Sequence, residues 1–105
     1  TMMILQPEFI TKEMLDTAKE DVTKKKNPKL IDRIRLESYT EGRAAQVMYV
    51  GAYADEGPTI KKLHEFIVEN GGKLDASSKH HHEIYLGDPR RTSPDKLKTI
   101  IRQPF

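Results

Sequence analysis

Prolines at positions 7, 28, 58, 89, 94 and 104 punctuate this chain. Each removes a backbone donor and clashes with a preceding helical turn, so only short elements fit between them. Met2 to Leu5 is an apolar run closed by Pro7, which predicts the end of a buried strand. Thr11 predicts the cap of a helix running through Lys26, with Glu13 and Asp16 near its positive end. Met14, Leu15, Ala18 and Val22 give that helix one apolar stripe, and Pro28 forbids its continuation.

From Ile34 the period changes. Ile34 and Leu36 alternate with Arg35 and Glu37, Thr40-Glu41-Gly42 reads as a turn, and Ala44 to Val50 as a more buried strand, together a β-hairpin. Pro58, the helically spaced Ile60, Leu63, Phe66 and Ile67, and the Gly71-Gly72 stop predict a second amphipathic helix. A polar loop around Asp75 to Lys79 leads to a strand from His82 to Leu86. Asp88-Pro89 predicts a turn, Ser93-Pro94 a short helical turn, and Thr99 to Arg102 a last strand. The predicted order is therefore strand, helix, two strands, helix, two strands.

One internal echo adds to this order. Met3-Ile4-Leu5-Gln6-Pro7 is matched by Ile100-Ile101-Arg102-Gln103-Pro104, and both read as strand endings closed by Gln-Pro. As a repeat, it makes the first strand the last of one module, followed by a whole second module.

The 105 residues hold one modest core, and the absence of cysteine excludes a disulfide framework, a thiolate nucleophile and cysteine-based metal sites, pointing to an intracellular compartment. Eighteen Lys and Arg against sixteen Asp and Glu give a net charge of +2, too balanced to make nucleic acid the default partner. The densest basic run, Lys24-Lys25-Lys26, lies at a helix C-terminus, where the macrodipole favours it. No apolar stretch approaches the roughly 20 residues that cross a bilayer. No membrane partner is expected.

The densest chemistry lies in His80-His81-His82-Glu83-Ile84-Tyr85-Leu86. A strand alternates its faces, so His82, Ile84 and Leu86 share one side while His81, Glu83 and Tyr85 share the other. Packing of the aliphatics against the helices turns Glu83 and Tyr85 to the opposite face of the sheet. There they are either an ordinary wet surface or, walled into a groove, a site in which desolvation raises the Glu83 pKa. Neighbouring histidines on a strand diverge, and no third ligand is visible, so no metal is expected. Gly51 to Pro58 joins a strand to a helix N-terminus, where Tyr53 can overhang a groove while Asp55 and Glu56 complement the helix dipole. The G-x-S-x-G, P-loop and G-x-G-x-x-G patterns do not occur. No cofactor is expected.

The ordered run His81 to Thr92, with Pro94, Lys96-Leu97-Lys98-Thr99 and Arg102-Gln103-Pro104, resembles the C-terminal signature of GyrI-like small-molecule-binding proteins. Gln6 to Thr11 and the Gly51-Ala52-Tyr53 turn resemble the same family, although Ala52 stands where the family more often has proline. The resemblance implies an α+β fold, an antiparallel sheet with helices on one face. Residues 1–30 would be the terminal strand and linking helix of a first module, and 31–105 a complete second strand-helix-strand-strand module. It also implies a sheet-lined groove for amphipathic or cationic ligands, with Glu83 as the key carboxylate and Tyr85, Tyr53 and His81 as ligand contacts.

In family members that hydrolyse cyclopropane rings this carboxylate is catalytic. The resemblance therefore implies a cytoplasmic bacterial protein that binds a small molecule and is a candidate cyclopropanoid cyclopropyl hydrolase. The alternatives are a non-catalytic sensor or sequestering module of a transcription regulator and a gyrase-interacting protein. With one module present, a homodimer would rebuild the concave groove.

Overall fold

A computed structural model describes residues 1–74 and 80–105. The polar loop expected around Asp75 to Lys79 lies outside the described residues. The chain divides into two compact units, Thr1–Tyr39 and Thr40–Phe105.

In the first unit, helix α1 spans Lys12–Lys26. The Thr11 side chain accepts from the Met14 N–H, and Asn27 ends the helix in the left-handed conformation at φ 39°, returning its N–H to the Thr23 and Val22 carbonyls. Both predicted boundaries hold. A single 3₁₀ turn follows at Ile31–Arg33, where Ile31 is buried. No residue of α1 is buried, so its apolar stripe is largely open.

Two expectations for this region fail. Met2 to Leu5 forms no strand, and Met2 and Leu5 are almost fully exposed. A strand needs a neighbour for its backbone groups, and none of the described residues supplies one. Residues 34–42 form no hairpin arm either. Ile34 and Leu36 stay exposed, and the strand they were expected to join takes its partner from the far end of the chain.

The second unit contains strand β1 (Ala44–Val50), helix α2 (Gly57–Glu69), strand β2 (His82–Tyr85) and strand β3 (Lys98–Pro104). A 3₁₀ turn at Tyr53–Asp55 precedes α2, and another at Pro94–Lys96 precedes β3. The sheet order is β1-β3-β2, antiparallel throughout, with β3 in the centre. The fold is α+β, as expected.

Strand β3 sets the layers. Thr99, Ile101 and Gln103 alternate as its buried residues, and Ile101 packs with Leu63 and Ile67 of α2. Ala45, Val47 and Tyr49 of β1, opposite Gln103, Ile101 and Thr99, join on the same face. Phe66, expected in this core, is exposed. At the end of α2 the Gly72 N–H donates to the Ile67 carbonyl at 2.8 Å. A Cβ there would lie 2.9 Å from that carbonyl oxygen and 2.6 Å from the Phe105 ring, so the close approach requires glycine.

The other face of the sheet is lightly covered. Met48, Val50 and Ile84 are exposed on it. A polar cluster closes one end: Glu41 accepts from Arg102 Nε at 2.7 and 2.8 Å and pairs with His82 Nε2 at 2.6 Å, while Arg102 Nη1 donates to Gln46 at 2.6 Å. Among the described residues no helix is long and apolar enough to cross a membrane.

Candidate functional site

The β2–β3 register reverses the expected orientation of the histidine-rich strand. Glu83 pairs with Ile101 and Tyr85 with Thr99, and directly opposed residues in an antiparallel pair share a face. Glu83 and Tyr85 therefore lie on the α2 side, while Ile84, opposite Ile100, lies on the other. The expectation that aliphatics of this strand face the helices is thus corrected. Core packing on that side comes from β1 and β3, leaving the helix-side strip of edge strand β2 to polar residues.

The loop after β1 builds the opposing wall. Gly51, at φ 148°, leaves β1, and a Cβ there would lie 2.5 Å from the Tyr49 hydroxyl, so only glycine fits. That hydroxyl donates to the Ala52 carbonyl at 3.0 Å, and the Gly51 N–H donates to the Leu97 carbonyl at 3.0 Å. The chain is thereby pinned across the sheet just before the Tyr53–Asp55 turn. Tyr53 projects to Tyr85, their ring centroids 5.1 Å apart and their planes tilted by 52°. This is the spacing of a favourable aromatic pair.

Glu83 shares this face with Tyr85. Tyr85 Oη donates to its Oε2 at 2.5 Å, and His81 Nε2 is 3.4 Å from its Oε1. The histidine run is thus divided between faces: His81 goes to Glu83 and His82 to Glu41. Among the described residues no group of three or more His, Asp or Glu side chains is arranged to hold a metal ion.

A further residue, read from the sequence only as a helix-dipole partner, completes the cluster. Glu56 stands at the N-cap of α2, where its carbonyl accepts from the Thr59 and Ile60 N–H groups at 2.9 and 3.0 Å. Its side chain makes no cap bond and instead meets the Glu83 carboxyl. Glu56 is only 9% exposed, and its Oε2 is buried with no ordinary N–H or O–H donor among the described residues. Sequence spacing held no sign of this pairing, because residues 56 and 83 meet only through the β1–β3–β2 order.

The two carboxyls are driven apart in acidity. Burial, and then the neighbouring Glu83, raises Glu56 above the usual carboxylate range. Glu83 is lowered, first by the Tyr85 hydroxyl and then by Glu56 and His81, against the opposing effect of its own burial. The expected rise at Glu83 is therefore reversed: hydrogen bonds to the charged form outweigh desolvation. Tyr85, donating to that carboxylate, is pushed up to about 12. The arrangement holds the Glu83 carboxylate against the Tyr85 hydroxyl, beside a second carboxyl whose acidity is weakened by burial and by Glu83 itself.

Residues 10–104 match the family described as the GyrI-like small molecule binding domain. The chain belongs to this family. A hydrolase from Listeria innocua is 38% identical to this GyrI-like chain, with a TM-score of 0.78 over 94% of it and 51% of the hydrolase. An uncharacterized conserved protein from the same organism is 40% identical, with a TM-score of 0.81 over 94% of this chain and 49% of its own. The GyrI-like chain thus spans about half the length of these solved structures. No curated protein matches it.

Proposed function

We propose that this GyrI-like domain binds an amphipathic or cationic small molecule against the Tyr53–Tyr85 pair, with Glu83 as the counter-charge and His81 at the rim. The observation that carries the reading is the convergence of the Tyr53–Tyr85 pair, 5.1 Å between centroids, on a carboxylate already held by Tyr85. A flat cation gains from the ring faces and from the fixed charge together. A second copy of the chain would close the open side of the cleft, making a homodimer the working unit. Residues 1–30 are then the end and linker of a preceding module.

The hydrolase among the similar structures favours a chemical use of the same site. In a spirocyclopropane conjugated to a carbonyl, water oxygen bonds to the ring methylene carbon. The ring C–C bond breaks, and its electron pair moves through the conjugated system onto the carbonyl oxygen. Glu83 orients the water and takes its proton, while the tyrosines hold the flat substrate. With its pKa lowered by Tyr85, Glu83 is a weaker base than a free carboxylate, and holding the water in place adds to its effect as a base.

Calorimetric titration with N-methylacridinium, a permanent flat cation, tests binding. Glu83→Gln should weaken it by about tenfold or more, the usual loss for a hydrogen bond or ion pair to a charged group. Equal affinity for the cation and for neutral N-methylacridone would overturn the counter-charge reading. Single-turnover ring opening of a spirocyclopropane-containing alkylating agent tests catalysis, with Glu83→Gln expected to slow it by about 10² to 10⁴. Binding without ring opening would leave a sensor or sequestering module.

A further inference from the structure

We infer that Glu56 is the proton-holding partner of Glu83, so that a cation entering the site is exchanged for the Glu56 proton. The inference deepens the proposed function and rests on it.

The geometry is that of a buried carboxyl set against a second, partly exposed one. Glu56 is nine-tenths buried, and its Oε2 lacks any ordinary donor among the described residues. Its contact is another carboxyl, which already accepts from Tyr85 at 2.5 Å and faces His81 at 3.4 Å. Two ionised carboxylates in such contact repel, and the pair lowers its energy by keeping one proton between them. Glu83 has the outside donors, so the proton stays with Glu56.

The surrounding groups reinforce that assignment. Among the described residues, Glu83 acts on Glu56 directly, Tyr49 of β1 and Tyr85 of β2 respond to its charge, Tyr53 and Asp55 precede it in the turn before α2, and His81 meets Glu83. The Glu83 carboxylate favours the protonated form of Glu56. His81, the cation among them when protonated, is directed to Glu83. No lysine or arginine pairs with Glu56 among the described residues, so a ligand cation is the first strong positive charge to reach it.

A cation placed against Glu83 reverses the balance. It cancels the repulsion from Glu83 and gives a Glu56 carboxylate a counter-charge that offsets the cost of its burial, and Glu56 ionises. The proton passes to solvent, no bond of the ligand breaks, and the charges balance: one positive charge enters as another leaves. Neutral ligands of the same shape give no exchange.

The decisive measurement is the titration of the full chain with N-methylacridinium in buffers of different ionisation enthalpy, which counts protons released per ligand bound. Release should approach one proton per cation, and the dissociation constant should fall with rising pH by up to about tenfold per unit while Glu56 is protonated. Glu56→Gln should abolish the release and flatten that dependence. Carboxyl-carbon NMR of the wild-type chain gives a second reading that needs no variant: Glu56 should titrate above Glu83 and ionise when the cation is added. Binding without proton release, or release that persists in Glu56→Gln, overturns the inference and leaves the binding site standing. Failure of the wild-type chain to bind the cation overturns the counter-charge reading and the inference with it.

Discussion

Replacing Glu41 by glutamine removes one half-buried charge from its partners while keeping its shape. In the folded chain Glu41 is held at about 2 rather than 4.5, first by its hydrogen bonds from Arg102 and then by His82, against the cost of its own burial. At about 1.4 kcal/mol per pH unit that difference is worth about 3 kcal/mol. Glu41 is 18% exposed and Arg102 34%, so solvent screening reduces the figure to about 2 kcal/mol. The folded pKa lies below the unfolded one, so the stabilisation is fully present above about pH 4.5 and is lost as pH falls through about 2. Urea denaturation of wild type and Glu41→Gln across this range should therefore give curves far apart at pH 7 that converge toward pH 2. The melting temperature at pH 7 should fall by roughly 8 °C or more. Arg102 keeps its bond to Gln46, which limits the loss. A Glu41→Gln chain within about 0.5 kcal/mol of wild type at pH 7, or a difference independent of pH, would refute the reasoning.

Other positions give independent checks. Gly72→Ala puts a methyl group against the Ile67 carbonyl and the Phe105 ring and should cost about 1 to 3 kcal/mol in urea denaturation. Gly57→Ala, in the first turn of α2, gains helix propensity but sets its methyl against the Pro58 ring, so it should change stability by less than about 1 kcal/mol in urea denaturation. Tyr85→Phe removes the first cause of the lowered Glu83 pKa, so Glu83 should titrate higher by carboxyl-carbon NMR. Cation binding should then fail at a higher pH on acidification. Thr11→Ala deletes the cap of α1 and should cost that helix about 1 kcal/mol, seen as reduced helicity by circular dichroism.

Local punctuation made much of the fold legible. Thr11 and Asn27-Pro28 bounded α1, Pro58 and Gly71 bounded α2, and Ser93-Pro94 placed the turn before β3, because caps and breakers act over a few residues. Pairing partners are a long-range property. Ile34 and Leu36 had the alternation of a hairpin arm, yet β1 gains more by lying beside β3, where Val47 opposes Ile101 under α2.

The same long-range choice decides the site. Alternation along His81 to Leu86 fixes which residues travel together, and His81, Glu83 and Tyr85 do share a surface, but it cannot say which set faces the helix. That parity is set by β3, whose adjacent Ile100 and Ile101 are equally apolar and so carry no preference in sequence. Once Ile101 packs against Leu63 and Ile67, its opposite number Glu83 must point to the α2 side. Only on that side can the N-terminus of α2 reach Glu83, and Glu56 stands there. The misread face and the missed carboxyl thus have one cause. If Ile101 sets the parity, replacing Ile101 with threonine, which leaves Ile100 as the more apolar of the two, should break the Glu56–Glu83 contact along with the core. The conservative Ile101→Val should leave the contact intact while costing about 0.5 to 1.5 kcal/mol. Carboxyl-carbon NMR of Glu56 separates these outcomes, since its pKa falls when Glu83 leaves it and stays where it is when the contact is kept.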